Sequence, residues 1–189
     1  MLYYKKINIP NYDIIKSELE HSTSEFVKNN TRYWDVPYTW FQLHSPTLYN
    51  FVEKRKKLPV RLCRFYLTPP NGALQPHIDG LKNNRSPLGL NLPITGYQNT
   101  TMSWWECSKD NLIDGPYGFN NITASKIISV EKLVKADSTT VDVPTFVRTD
   151  EVHSIESRNS SPRLVLSIRF LYSTASRQEF DDVFDLTDL

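Results

Sequence analysis

From residue 60 onward the sequence is a succession of short apolar segments separated by turns that are rich in proline, glycine and asparagine. Segments of this length and composition, bounded by turn residues, are typical of β-strands. The predicted strands cover residues 60–67, 73–79, 88–95, 100–106, 126–134, 139–148, 152–157 and 163–172. About eight strands in succession favour an antiparallel double-sheet barrel of the jelly-roll or cupin kind, a double-stranded β-helix. A β-sandwich without a cavity is the alternative architecture.

Helices are predicted only before this β-rich part. Asn11 can cap a helix that continues to about His21. Ser45 followed by Pro46 is a start signal for a second helix, because proline suits the first helical position. We expect one domain of 189 residues. It comprises a helical lead-in at about 1–58, a β core at about 60–172 and an acidic tail at 173–189.

The end of the chain has an unusual charge pattern. The segment from Gln178 to Leu189 carries five acidic residues and no basic ones. We expect it to be solvated, although Phe180, Val183 and Phe184 could dock on the body of the protein.

Charge and cysteine content disfavour several classes of protein. Lys+Arg number 22 and Asp+Glu number 21, so the net charge of +1 attracts neither nucleic acid nor an anionic membrane. No segment approaches the ~18 apolar residues of a membrane span, and the N-terminal residues lack the apolar stretch of a secretion signal. Cys63 and Cys107 are too few for a disulfide scaffold. We expect a cytoplasmic protein with no nucleic-acid or membrane partner; the oligomeric state stays open.

The segment LQPHIDG, residues 74–80, places a histidine and an aspartate two positions apart in a predicted strand. Side chains at i and i+2 of a strand point to the same face, roughly 6.5 Å apart. His77 and Asp79 can therefore converge on one ion. Alternatively, Asp79 and Gly80 open a turn, and His77 merely ends an edge strand.

Few histidines are available as a third ligand. His21 and His44 fall in or beside the helical lead-in, where surface or core positions are expected, whereas His153 opens the penultimate predicted strand. Two histidines and one carboxylate form the facial set that holds non-heme Fe(II) and leaves open positions.

The last predicted strand begins at Arg163 and places Arg163, Val165, Ser167 and Arg169 on one face. A buried guanidinium needs an anion. A hairpin with a five-residue loop at 158–162 would pair His153 with Ser167. Arg163 would then lie roughly 13 Å from His153 along the strand and face the same cavity. That separation suits a short dicarboxylate bound to the metal at one end and to Arg163 at the other.

These motifs lead to a family resemblance. HIDG at 77–80, followed by His153 and by Arg163 ten residues later, resembles the HxD…H…R pattern of the Fe(II)/2-oxoglutarate-dependent oxygenases. LNLPI at 90–94 and HSIESRNSSPRLVLSIRF at 153–170 are similar to the branch that contains aspartyl/asparaginyl β-hydroxylases and small proline hydroxylases. The resemblance covers roughly residues 60–172. It implies a dioxygenase that uses Fe(II), 2-oxoglutarate and molecular oxygen to hydroxylate an amino acid, a peptide or a protein side chain.

The resemblance also implies roles for individual residues. The iron ligands would be His77, Asp79 and His153. Arg163 would bind the distal carboxylate of 2-oxoglutarate. Tyr66 stands where relatives often place a hydroxyl against that carboxylate, although it could equally be a core tyrosine. Asn91, a polar residue in an apolar strand, needs a partner and is a further candidate for contact with the cosubstrate.

Candidates for substrate contact are Arg169, Trp104 and Arg85. Arg169 could hold a carboxylate of the substrate or form a salt bridge at the strand end. Trp104 could line the mouth of the barrel or pack in the core. Arg85 follows the first metal motif. The segment 107–124 is rich in turn residues and could form a lid.

Two other classes of protein remain open. A cupin-type metalloenzyme that does not use 2-oxoglutarate would leave Arg163 exposed or paired with a protein carboxylate. A metal-free β-barrel binding module would leave His77, Asp79 and His153 apart.

Overall fold

A computed structural model of the chain describes residues 2–81, 84–85, 88–108, 111–117, 122–127, 132–171 and 179–187. For residues 80–81, 84–85, 112–117 and 122–127 it describes the backbone alone. Among the described residues, no helix has both the length and the apolar character needed to cross a bilayer.

Most of the described chain after the first helices lies in two antiparallel sheets. The strands in chain order are β1 (Tyr4–Lys6), β2 (Tyr33–Val36), β3 (Val60–Thr68), β4 (Ala73–Leu81), β5 (Asn84–Arg85), β6 (Leu88–Thr95), β7 (Thr100–Glu106), β8 (Leu112–Tyr117), β9 (Ile122–Ile127), β10 (Val134–Thr140), β11 (Thr145–Arg148), β12 (His153–Ser157) and β13 (Arg163–Phe170). The larger sheet has the order β1-β11-β6-β13-β3-β2, and the smaller sheet has the order β10-β7-β12-β4-β9-β8, with β5 paired to β4. A cavity lined from both sheets separates them. The predicted mainly β, jelly-roll fold is confirmed.

Strand β13 shows how the larger sheet divides its two faces. Even-numbered residues from Leu164 to Phe170 belong to the apolar core. Odd-numbered residues from Arg163 to Arg169 line the cavity. This alternation follows from the two-residue period of a strand, and it is the alternation that the sequence predicts.

The helices cover the outer face of the larger sheet. They are α1 (Tyr12–Lys28), α2 (Phe41–His44), α3 (Pro46–Arg55) and α4 (Phe180–Val183). Apolar residues of α1 and α3, such as Leu19 and Leu48, share one buried cluster with Phe65 and Leu166 of the sheet. This packing keeps the opposite face of the sheet available for the cavity.

Both predicted helix starts are correct in position, but neither uses its predicted side-chain cap. Asn11 has a positive φ of 59° and makes no capping hydrogen bond, and α1 continues beyond His21 to Lys28. Ser45 precedes α3 without capping it. Its hydroxyl instead donates a hydrogen bond of 2.7 Å to Glu18 Oε2, which ties α3 to α1.

Several predicted strand boundaries are wrong. The segment predicted at 126–134 contains the end of β9 and the start of β10, and the segment predicted at 139–148 is interrupted between β10 and β11. The lead-in predicted as helical also contains β1 and β2, which pair with β11 and β3. These two strands have three and four residues, too few for a clear alternation, so their partners rather than their own sequence define them.

The turn-rich segment 107–124, for which the sequence predicts a possible lid, is not a loop throughout. Strand β8 occupies residues 112–117 there and pairs with β9. Residues 109–110 and 118–121 lie outside the described residues.

Strands β12 and β13 do not form the predicted hairpin. β12 pairs with β4 and β7, whereas β13 pairs with β3 and β6 in the other sheet. Residues 158–162 therefore cross between the sheets. Asn159 holds this crossing, because its side-chain amide donates to Gly96 O at 2.5 Å and to Ser157 Oγ at 3.1 Å. Both strands face the cavity because the sheets face each other.

The acidic tail docks on the body through its apolar residues. Phe180, Val183 and Phe184 are buried. The Phe184 ring lies 5.3 Å from the Phe146 ring and 5.8 Å from the Phe51 ring, centroid to centroid. The docking that the sequence left open is therefore present.

We expect Phe184→Ala to lower the free energy of unfolding by about 3–5 kcal/mol, because it removes a fully buried aromatic ring and leaves a cavity. Urea denaturation would measure the change. Leu43→Ala is the matched control, since Leu43 is 85% exposed and its loss should cost under about 0.5 kcal/mol. Equal denaturation midpoints for the two variants would contradict the docking of the tail.

Candidate metal centre

Strands β4 and β12 bring three potential metal donors together inside the cavity. His77 and Asp79 lie on one face of β4, and His153 is the residue directly opposite His77 in β12. One donor atom from each residue lies within 4.8 Å of the others. Asp79 Oδ1 is 3.3 Å from His77 Nε2 and 3.9 Å from His153 Nε2. The two side chains of the HxD motif and the histidine of the penultimate predicted strand thus converge, as the sequence predicts.

The backbone sets the orientation of both imidazole rings. His77 Nδ1 lies 2.7 Å from the carbonyl oxygen of Gln75, and His153 Nδ1 lies 2.9 Å from that of Glu151. A carbonyl oxygen only accepts hydrogen bonds, so each Nδ1 carries the proton. Each Nε2 is therefore the ring nitrogen that faces Asp79 and is left for a metal. Metal-binding histidines are commonly oriented in this way.

Two of the three donors, His153 and Asp79, are in the protonation states that a cation needs. Burial, followed by the charge of His77, lowers the pKa of His153 to about 4. Burial raises the pKa of the Asp79 carboxyl, but Arg169 and the two histidines lower it by more, and the pKa lies well below its usual range. At neutral pH the site thus combines a neutral His153 with an ionised carboxylate. Metal binding requires these deprotonated forms.

The donor set fits a non-heme iron site. Two imidazole nitrogens and one carboxylate oxygen from neighbouring strands match the two-histidine, one-carboxylate set of Fe(II) oxygenases. His77 and His153 are buried, while the Asp79 side chain retains 25% exposure. Solutes could thus reach the centre from the cavity side.

The cavity beside these donors has a volume of about 390 Å³ and is lined by both sheets. Its walls are largely apolar, with Leu74, Met102, Ile155 and Val165 among the lining residues. At this size it falls within the ~300–1,000 Å³ range of small-molecule sites.

Arg163 is the most unusual residue of this cavity. It is 1% exposed, and its Nε and Nη2 atoms have no hydrogen-bond partner among the described residues. Burial lowers its pKa to about 10, so the guanidinium still carries its charge at neutral pH. A buried cation without a partner is energetically costly. Its position on a cavity wall indicates a site for an anion.

Tyr66 and Asn91, the other cosubstrate candidates, both line the cavity. Asn91 is buried, and its Oδ1 accepts a hydrogen bond of 2.7 Å from Ser167 Oγ. Burial raises the pKa of the Tyr66 hydroxyl, and the nearby Asp79 raises it further. Tyr66 is therefore close enough to Asp79 for the carboxylate charge to disfavour ionisation of its hydroxyl.

Arg169 and Trp104 take the alternatives to substrate contact that the sequence left open, a salt bridge and core packing. Arg169 Nη2 donates a hydrogen bond of 2.7 Å to Asp79 Oδ2, so this terminal nitrogen serves a metal-donor residue rather than substrate. Trp104 is fully buried, donates to the backbone carbonyl of Arg148 and does not line the cavity. For Arg85 only the backbone is described, in β5, and its side chain lies outside the described residues.

Arg32 and Tyr33 also line the cavity, and the sequence did not predict them as site residues. Tyr33 begins β2 and pairs with Tyr66 of β3. The alternation in RYWDV, with Trp34 and Val36 buried in the outer core, was the available signal. Strand β2 has only four residues, which made that signal weak.

The likeness to known proteins lies in the fold. No protein-family model and no curated protein sequence matches the chain. Among solved structures it is similar to AviO1 from Streptomyces viridochromogenes Tue57, with 14% identity, a TM-score of 0.55 and coverage of 94% of this chain and 93% of that one. It is also similar to the epimerase SnoN in complex with Fe3+, alpha ketoglutarate and nogalamycin RO, with 13% identity, a TM-score of 0.56 and coverage of 90% and 79%. A third similar structure is SnoK, a non-heme alpha ketoglutarate dependent carbocyclase from nogalamycin biosynthesis, with 13% identity, a TM-score of 0.51 and coverage of 88% and 78%. The chain therefore shares its fold with these three structures, of which SnoN is in complex with Fe3+ and alpha ketoglutarate and SnoK is alpha ketoglutarate dependent.

Proposed function

We propose that this protein is a non-heme Fe(II)- and 2-oxoglutarate-dependent dioxygenase that hydroxylates an amino acid, a peptide or a protein side chain. The observation that carries the proposal is the buried guanidinium of Arg163 on the wall of the cavity that holds the three donors, because two of its nitrogens lack a hydrogen-bond partner among the described residues. A site with a cation at one end and a metal at the other suits a dicarboxylate. The resemblance of LNLPI at 90–94 and of residues 153–170 to the branch with aspartyl/asparaginyl β-hydroxylases and small proline hydroxylases supports an amino acid, peptide or protein side chain as the substrate.

The residues of the cavity would have separate roles. His77, Asp79 and His153 would hold the iron, and Arg163 would pair with the distal carboxylate of 2-oxoglutarate. When bound, iron would supply the chemistry in which 2-oxoglutarate and molecular oxygen give succinate and carbon dioxide, while the second oxygen atom enters a C–H bond of the substrate. Asn91 and Tyr66 would contact the cosubstrate from the same wall, and the apolar residues would exclude stray water. Orientation and exclusion of water are what a protein contributes to cofactor chemistry.

The two alternative classes are disfavoured by specific observations. A cupin-type metalloenzyme without 2-oxoglutarate would leave Arg163 exposed or paired with a protein carboxylate, yet the residue is buried and two of its nitrogens lack a partner among the described residues. A metal-free binding module would leave the donors apart, yet they lie within 4.8 Å of one another.

An anaerobic titration tests the proposal. We expect Fe(II) and 2-oxoglutarate together, but neither alone, to produce the weak visible charge-transfer band of the chelated cosubstrate. Succinate, which lacks the keto group, is the matched control and should produce no band. Failure of Fe(II) plus 2-oxoglutarate to produce the band would exclude the dioxygenase and favour the cupin-type alternative.

A further inference from the structure

Arg169 crosses the cavity from the larger sheet to reach a metal-donor residue of the smaller sheet. Its side chain is buried, and Nη2 lies 2.7 Å from Asp79 Oδ2. Residues that are directly opposite each other in an antiparallel pair project to the same face. The residue opposite Arg169 in β6 is Gly89, so the arginine begins its path above a glycine.

The absence of a side chain at Gly89 makes this path possible. A Cβ atom at residue 89 would lie 1.3 Å from Arg169 Nη1, 2.5 Å from its Cζ and 3.2 Å from its Cδ. The first two distances are far below any van der Waals contact, and the third is tight. Even alanine would therefore displace the guanidinium from its position.

The guanidinium has no other strong attachment among the described residues. Arg169 Nη1 is buried without a hydrogen-bond partner in the described part of the chain. Holding such a nitrogen in an apolar environment is unfavourable unless another contact of the same group compensates. The ion pair with Asp79 is the contact that compensates, and the space above Gly89 determines where it forms.

This arrangement assigns separate tasks to the two carboxylate oxygens of Asp79. Oδ2 accepts from Arg169, while Oδ1 faces both His77 Nε2 and His153 Nε2. We propose that Gly89 and Arg169 act together as positioning residues, which hold Asp79 as a one-oxygen metal ligand and keep Oδ2 from occupying a second position on the metal. This inference rests on the proposed iron site.

Titration with Co(II) alone tests it in four proteins: wild type, Gly89→Ala, Arg169→Met and the double variant. We expect each single variant to bind Co(II) about 10–100-fold more weakly, as is usual when a partner of a metal ligand is lost. The intensity of the Co(II) visible bands should also change, since a carboxylate that binds through both oxygens alters the coordination number. A change that affects only packing would leave those bands unaltered.

The double variant separates an effect through Arg169 from an independent one. If Gly89 acts by making room for Arg169, Gly89→Ala adds no further loss of Co(II) affinity in the Arg169→Met background, which is the signature of coupled residues. The double variant should also be more stable than Gly89→Ala, because methionine can bend away from the new methyl group. Additive losses of affinity would overturn the role of Gly89. If Gly89→Ala alone folds too poorly to titrate, the double variant is compared with Arg169→Met, and a weaker Co(II) affinity in the double variant would overturn it.

Arg64→Met is the matched control for loss of a buried arginine. Arg64 has the same 8% exposure as Arg169, and it pairs with Asp35, which is not among the three donors. We expect it to retain wild-type affinity for Co(II) and wild-type bands. Wild-type affinity and bands in Arg169→Met would overturn the inference while leaving the proposed iron site in place. Absence of Co(II) and Fe(II) binding by the wild type would instead reject both.

Discussion

In the His153→Ala variant, Fe(II) is expected to bind more than about 100-fold more weakly than in the wild type, a larger effect than the ~10–100-fold cost of losing an outer partner. His153 supplies one of three donors, and its Nε2 lies 3.9 Å from Asp79 Oδ1. With it removed, His77 and Asp79 come from a single strand and cannot enclose the ion. Anaerobic titration with Fe(II) alone measures the change.

His44→Ala is the control for this variant. His44 is an exposed histidine that stacks on Trp40, with the ring centroids 4.1 Å apart. We expect its removal to leave Fe(II) affinity unchanged. Since His153 is buried, circular dichroism should first establish that its variant is folded. A folded His153→Ala protein with wild-type affinity would remove this residue from the metal site and require a different third ligand.

Local sequence patterns predicted the faces of the strands better than their partners. The two-residue period placed His77 beside Asp79 and separated Arg163 from Leu164, and both features are present in the structure. The hairpin expected for β12 and β13 was wrong, although its two ends do face one cavity. The two-residue period of a strand determines which side chains share a face. The connection between two strands determines whether both belong to the same sheet, and a five-residue segment is compatible with a hairpin or with a crossing to the other sheet.

Contacts between the sheets could not be predicted for the same reason. The pairing of Arg169 with Asp79 spans 90 residues of sequence, and it depends on which strands face each other across the cavity. The role of Gly89 is less visible still, because a glycine in a strand is compatible with a bulge, a bend or a close approach. Only the register of β6 against β13 identifies its neighbour.

Arg163→Met is expected to change cosubstrate binding and stability in opposite directions. Affinity for 2-oxoglutarate in the Fe(II)-loaded protein should fall by about 2–5 kcal/mol, the usual cost of truncating one partner of a buried charge pair. The free energy of unfolding without ligand should instead rise by about 1–3 kcal/mol, since methionine removes buried N–H groups that lack partners in the described part of the chain. Anaerobic 2-oxoglutarate titration and urea denaturation measure the two quantities.

Arg148→Met provides the contrast that makes this expectation specific. Arg148 is 2% exposed, like Arg163, but its Nη2 lies 2.8 Å from Asp150 Oδ2. Its removal leaves a carboxylate uncompensated, so we expect a loss of stability, up to about 3–5 kcal/mol. If Arg163→Met were destabilising to a similar degree, its guanidinium would have a protein partner and no need of an anion. If Arg163→Met instead kept wild-type affinity for 2-oxoglutarate, another cation of the cavity would have to bind the distal carboxylate.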